Sequence, residues 1–227
     1  MNELHELIDQ IMRDASGAAD VDDAAGAATV TQRAYQALVY AGLSRVGIPE
    51  HLGGVGGDLA QAVTVVRAAA RHPVATPIAE VALVCGRLAT DCRLAFPGDT
   101  VSVAFDPHRP DALTASPAGD GWTVQGEATA VPWATVSTIV VVVAATPTGE
   151  FVVGTLPTAA CAVTAGTNLA GEPRDRVTVA PGTPLRDAVP VPADTFERLR
   201  RHAALARAAQ LGGVLEAVLA MSVAHAG

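Results

Sequence analysis

The chain has 227 residues, half of them hydrophobic, with 17% charged residues and a formal net charge of −8. That composition supports one large or two modest cores. All 15 basic residues are Arg and they form no cluster, so the acidic surface offers nothing to displace counterions from a phosphate backbone, which argues against nucleic acid as a partner. The longest apolar run, Ile139 to Ala145, is far short of the roughly 20 residues a spanning helix needs. Met1-Asn2-Glu3 opens no signal-like region. A cytoplasmic protein that avoids membranes is expected.

In chain order, residues 1–97 carry apolar side chains at helical spacing, broken at Gly and Pro. Leu4, Leu7, Ile8 and Ile11 make a first stripe. The stretch from Ala15 to Ala28, with Asp20, Asp22 and Asp23, reads as a loose acidic connection rather than half of a calcium loop. A second helix is expected from about Thr31 to Ala41, stopped at Gly42. Asp58 can cap a third through about Arg71, and Thr76-Pro77 can open a fourth.

From about residue 98 the period changes to two. Thr100–Phe105, Trp122–Gln125, Val136–Ala145, Glu150–Leu156, Arg176–Val179 and Leu185–Val189 are short Val- and Thr-rich runs between turn residues, as in an antiparallel sandwich or barrel. Helical pattern returns at Asp194, where Asp194-Thr195-Phe196-Glu197 resembles a capping box. From there to Ala226 only Gly212-Gly213 interrupts it. Such a helix would be roughly 50 Å long and cannot bury Leu205, Leu211, Leu215, Val218 and Leu219 on itself, so further helices of a bundle are expected to pack there. The predicted domains are 1–97 (helical), 98–191 (middle β) and 192–227 (first helix of a C-terminal bundle), an α+β multidomain class.

Few residues suggest chemistry on their own. Cys85, Cys92 and Cys161 have no C-x-x-C spacing and read as buried thiols. The six histidines share no ligand spacing, so no metal site is expected. The glycines from Gly53 to Gly57 do not fit G-x-G-x-x-G, which fails at Leu59, and no strand precedes them.

Five words in one order carry more. Gly47-Ile48-Pro49-Glu50-His51-Leu52-Gly53-Gly54-Val55-Gly56-Gly57 resembles the G-I-P-E-x-x-G-G-x-G loop of the acyl-CoA dehydrogenase family. Pro77-Ile78-Ala79-Glu80 is similar to the P-x-A-E helix start of many actinobacterial members, and Gly121-Trp122-Thr123-Val124-Gln125-Gly126 to the G-W-x-L-x-G hairpin. Val131-Pro132-Trp133-Ala134 resembles V-P-x-A, and Ala208-Ala209-Gln210-Leu211-Gly212-Gly213 resembles the A-A-Q-x-x-G of the long helix.

The resemblance implies an N-terminal helical domain, a middle β-barrel and the start of a C-terminal bundle, with FAD as cofactor and an acyl-CoA thioester as substrate. The implied activity is FAD-dependent α,β-dehydrogenation in lipid breakdown by β-oxidation, on a steroid side-chain or fatty acyl group. It assigns no catalytic residue to this chain, because the family's glutamate base lies later in the bundle. The flavin-facing positions it implies are Phe105, Val131, Pro132 and Trp133.

Two of these segments depart from the family pattern. The T-E-P-x-x-G-S-D loop that touches flavin and substrate is replaced by Phe105-Asp106-Pro107-His108-Arg109-Pro110-Asp111. The W-I-T segment, whose Thr donates toward flavin N5, aligns on Ala130, Val131 and Pro132, and proline has neither hydroxyl nor N–H. Trp133 is placed to cover the ring edge, with core or interface packing as the alternative. Three functions follow from the resemblance: a flavoenzyme subunit, a non-catalytic partner in a homo- or hetero-oligomer that completes another chain's site, or an acyl-CoA binding protein on the same scaffold.

Overall fold

The computed structural model describes residues 2–17 and 24–226. They divide into two compact units, Met1–Phe96 with His202–Gly227 and Pro97–Arg201. Asp20, Asp22 and Asp23 lie outside the described residues.

The first unit is helical. Helices α1 (Asn2–Ser16) and α2 (Ala24–Tyr40) pack together and α1 also meets α3 (Leu59–Ala69). Helix α2 starts seven residues before Thr31, because Ala24 to Ala28 is mostly alanine, the best helix former. The expected loose connection is therefore shorter than Ala15 to Ala28. On α1 the buried line is Ile8, Met12 and Ala15, while Leu7 of the expected stripe is 47% exposed. Asp9 ties α1 to the end of α3, accepting from His72 Nε2 at 2.8 Å and Arg71 Nη1 at 3.4 Å.

Asp58 caps α3 as expected, in a full capping box: its carboxylate accepts from Gln61 N at 2.8 Å, and Gln61 Oε1 accepts from Asp58 N at 2.9 Å. The fourth helix opens at Ile78, winds as a π-helix over Glu80–Cys85 and continues as α4 (Gly86–Cys92). Cys85 sits in that turn fully buried, and burial pushes its thiol up to about 12, so it is a packing residue.

The glycine-rich word from Gly47 to Gly57 is a closed turn. Gly47 N donates to Gly56 O at 2.8 Å and Gly56 N to Ile48 O at 2.9 Å. Gly54 lies inside it, where a Cβ would collide with the backbone carbonyl of Ile48, so only glycine fits.

The second unit is a seven-stranded sheet: β1 (Val101–Ala104), β2 (Leu113–Ala118), β3 (Gly121–Pro132), β4 (Ile139–Ala145), β5 (Phe151–Pro157), β6 (Ala162–Thr164) and β7 (Arg174–Val191). The pairings β2–β3, β3–β7, β7–β5, β5–β4 and β4–β2 return to their start, which closes a barrel. The expectation of antiparallel pairing needs one correction, because β1 and β2 both join β4 in parallel. The ring closes through Thr114 against Ala145. The barrel core is small and aliphatic, with Leu113, Val124, Val140, Val142, Val152 and Val177 essentially inaccessible.

Strand β7 covers both of the short runs expected at Arg176–Val179 and Leu185–Val189 in one 18-residue strand. Strands β2 and β6 have no counterpart in the sequence reading. β2 is Leu-Thr-Ala-Ser-Pro-Ala, of low strand propensity, and is held by its partners.

Helix α5 (Thr195–Ala226) runs 32 residues, through Gly212-Gly213, with the unit division falling between Arg201 and His202. In the first unit its inner side is made of small residues, Ala206, Ala209 and Gly213. A Cβ at Gly213 would collide with the Arg67 carbonyl oxygen and lie 3.0 Å from Ala70 Cβ, so the two backbones meet directly. Ion pairs Arg67–Glu216 and Arg207–Glu80 flank this contact, and Glu80 is 4% exposed. By length and composition α5 is also apolar enough to cross a bilayer, although Arg, His and Gln interrupt its apolar runs.

Candidate functional site

The four positions that the resemblance implies for flavin, Phe105, Val131, Pro132 and Trp133, all lie in the second unit, where the end of β1, the end of β3 and the turn after it converge. Two backbone kinks shape this place. Ala130 (φ 56°) and Trp133 (φ 59°) are both left-handed and bracket Val131-Pro132. That conformation is uncommon for residues with a side chain. The register with β7 slips between Ala128 and Val131, so the chain bulges here. Bulges re-aim side chains beside functional sites, but they also end strands.

Each predicted position has a structural occupation. Val131 is fully buried in the barrel core. Pro132 has no N–H, and its carbonyl accepts the Ser102 hydroxyl at 2.5 Å. Trp133 is 5% exposed and its carbonyl accepts Ser137 Oγ at 2.8 Å and Val136 N at 3.2 Å. Phe105 belongs to an aromatic cluster: its ring meets Phe196 edge-on at 6.1 Å, and Phe196 stacks on Phe151 at 5.3 Å. Both are favoured ring geometries. The structure brings β1 and Pro132 together through Ser102, while Phe105 is engaged with the start of α5.

The loop from Phe105 to Asp111 is closed by Asp106, which is 6% exposed. Its carboxylate accepts from His108 N at 3.0 Å, Arg109 Nε at 3.1 Å and Nη2 at 3.0 Å, and Thr129 Oγ1 at 3.0 Å. Burial pushes the Asp106 carboxyl up, but the bonds from His108, Arg109 and Thr129 outweigh it and hold it below its ordinary value. A carboxylate with a lowered pKa stabilises the fold above its unfolded value, about 3.9, and the contribution is lost as pH falls through the lower folded value. We therefore expect Asp106→Asn to cost stability at about pH 6, and the gap to wild type in urea unfolding to narrow by about pH 3. A gap that widens toward acid would contradict the assignment.

Behind the turn, Asp175 on β7 is 1% exposed and accepts from Thr135 N at 2.8 Å, Thr135 Oγ1 at 3.0 Å and Gly166 N at 3.2 Å. It pins the segment after Trp133 to the sheet. Ser102, Thr129 and Asp175 are absent from the sequence reading. The available signal for Asp175 is a single acid between Arg174 and Arg176 on an alternating strand, the position whose side chain faces inward.

These residues do not fit an isoalloxazine ring held by donors at N5 and O4. Pro132 can donate nothing, Val131 is packed in the core, and the Phe105–Asp111 loop spends the Asp106 carboxylate, Arg109 and the His108 N–H on itself. One donor at the four positions is unengaged, the buried Trp133 Nε1, which has no hydrogen-bond partner. Among the described residues no three His, Cys, Asp or Glu side chains gather as a metal site would require.

No protein-family model and no curated protein matches the chain. Solved structures do. A variant of the Tcur3481–Tcur3483 steroid ACAD superposes with a TM-score of 0.81 at 21% identity over 98% of this chain and 65% of that one. The ChsE4–ChsE5 complex from Mycobacterium tuberculosis gives 0.76 at 24% identity, again over 98% and 65%. A structure described as an FAD-dependent dehydrogenase gives 0.69 at 14% identity over 98% and 67%. N-terminal helices, a middle β-barrel and a C-terminal helix are thus shared at low identity, and the chain has the acyl-CoA dehydrogenase fold over about 65% of the length of the first two structures.

Proposed function

We propose that this chain is a subunit of a heteromeric acyl-CoA dehydrogenase-type oxidoreductase of the cytoplasm, in which it supplies scaffold and a partner chain supplies the flavin contacts. The observation that carries the reading is Pro132. The position where the resemblance implies a hydroxyl donor toward flavin N5 has neither hydroxyl nor N–H, and its carbonyl is taken by Ser102. The self-closed Asp106 loop supports the same conclusion on the other side. Two of the superposing structures are, by their descriptions, assemblies of two differently named chains, and one of those is a steroid ACAD. An acyl-CoA thioester with a steroid side chain or fatty acyl group is the substrate class this reading carries, and lipid β-oxidation the setting.

Removing hydrogen from Cα and Cβ of a thioester requires a base, donors on the thioester carbonyl and a hydride acceptor held in register. On this reading the chain contributes through what it positions in a partner. The test is enzymatic. The purified chain should turn over no acyl-CoA with an artificial electron acceptor. Co-expressed with a flavin-bearing acyl-CoA dehydrogenase-type chain, it should copurify in fixed stoichiometry and raise that chain's turnover. Dehydrogenation by the lone chain would overturn the reading.

A further inference from the structure

From Ala203 to Ala226 helix α5 is mostly Ala, Leu, Val and Gly, and apart from His225 its charged residues are Arg207 and Glu216. Both are paired within the first unit. Arg207 Nη2 donates to Glu80 Oε1, and Glu216 Oε1 accepts from Arg67 Nη2. The pairs run in opposite senses, with the cation on α5 in one and the anion on α5 in the other, and they stand about two and a half turns apart. Glu80 is 4% exposed and opens the π-helix Glu80–Cys85, all of whose residues are buried. Its carboxylate therefore sits on backbone that packing holds in place. Arg67 and Glu216 are more open, with side chains 50% and 37% exposed.

The small side chains of α5 do not fix its register by themselves. The buried line is Ala206, Ala209 and Gly213. One residue earlier the same spacing gives Leu205, Ala208 and Gly212, again with a glycine at the third place, where α5 meets the Arg67 carbonyl. Exchanging the two lines moves α5 by about 1.5 Å along its axis and about 100° around it. Small residues raise only shallow ridges, so packing separates the two registers weakly. Charge separates them strongly. In the shifted register Ala206 would stand opposite Glu80 in place of Arg207, and Leu215 opposite Arg67 in place of Glu216. A buried carboxylate that loses its cation is among the costliest changes a core can suffer, whereas Arg67 near the surface loses less.

We infer that the Glu80–Arg207 pair, seconded by Arg67–Glu216, is a register lock: it selects one of two ways in which α5 can lie on the helical unit and adds little net stability. Fixing register is the best-attested use of a buried polar pair. What the lock decides is which side of α5 faces outward. In the selected register Leu211, Leu215 and Leu219 are 63–65% exposed, and in the other Gln210, Val214 and Val218 would take their places.

Distances between spin labels test this, with labels on Ala60→Cys in α3 and Ser222→Cys in α5, both exposed, in the full chain carrying Cys92→Ser and Cys161→Ser. The otherwise unchanged chain should give one distance. Glu80→Met/Arg207→Met/Glu216→Gln, which keeps volume and removes the lock, should keep its helical circular dichroism and show a second distance in about a tenth of the molecules or more. The surface change Glu216→Arg, which sets two arginines face to face, should also bring in the second distance, and adding Arg67→Glu should remove it again. Glu216→Arg decides the matter if the triple variant does not fold. A folded triple variant or a Glu216→Arg chain that keeps the single original distance would overturn the inference and leave the register to packing alone.

Discussion

Gly213→Val should destabilise the first unit by about 3 kcal/mol and loosen α5, while Gly212→Ala, one residue away, should be neutral or stabilise by up to about 1 kcal/mol. Both are glycines in the interior of a long helix, where propensity alone favours replacement by about 1 kcal/mol. Packing separates them. A Cβ at Gly212 would have nothing nearer than Arg67 Nε at 3.8 Å, whereas at Gly213 it would collide with the Arg67 carbonyl oxygen, which is backbone and cannot rotate away. Relief requires α5 to move away from the end of α3 at Gly213, which pulls on the adjoining Arg67–Glu216 pair. Urea unfolding of the two variants measures the contrast. Equal effects at the two positions would mean that α5 does not meet the end of α3 at Gly213.

That contrast also marks what the sequence could and could not reveal. The change of apolar period from helical to alternating and back locates the helices, five of the seven barrel strands and α5, because a half-buried element must repeat its apolar residues at its own pitch. Asp58 was readable as a cap because the capping box is local. The word Gly212-Gly213 was readable as an interruption, but nothing local tells a glycine that touches a neighbouring backbone from one that faces open space. Strand β2 was missed for a similar reason: Leu113–Ala118 has weak propensity and is a strand only because β3 and β4 hold its edges. The parallel entry of β1 beside β4 depends on chain crossings that no periodicity records.

At the candidate site, Pro132 could be singled out from sequence because the lack of an N–H is a property of the residue type. Asp106 was visible only as part of an unusual stretch. Its partner Thr129 lies 23 residues away, and Asp175 reaches Thr135 across 40. Long-range ties of this kind are fixed by the barrel's register.

The flavin result should be the larger of the two in affinity. On the proposed reading, two donors that the family resemblance implies toward the ring are replaced, one by Pro132 and one by the closed Asp106 loop. Each lost donor costs on the order of 1 to 3 kcal/mol when its acceptor stays buried. Together they weaken binding by roughly one and a half to four decades, at about 1.4 kcal/mol per tenfold, relative to a chain of this fold that keeps both. The unengaged Trp133 Nε1 would recover at most one hydrogen bond. The most direct measurement is the visible absorption spectrum of the purified lone chain, taken after incubation with excess FAD and removal of unbound cofactor. The account predicts a colourless protein whose flavin band appears only in complex with a flavin-bearing partner; stoichiometric flavin absorbance in the lone chain would contradict it.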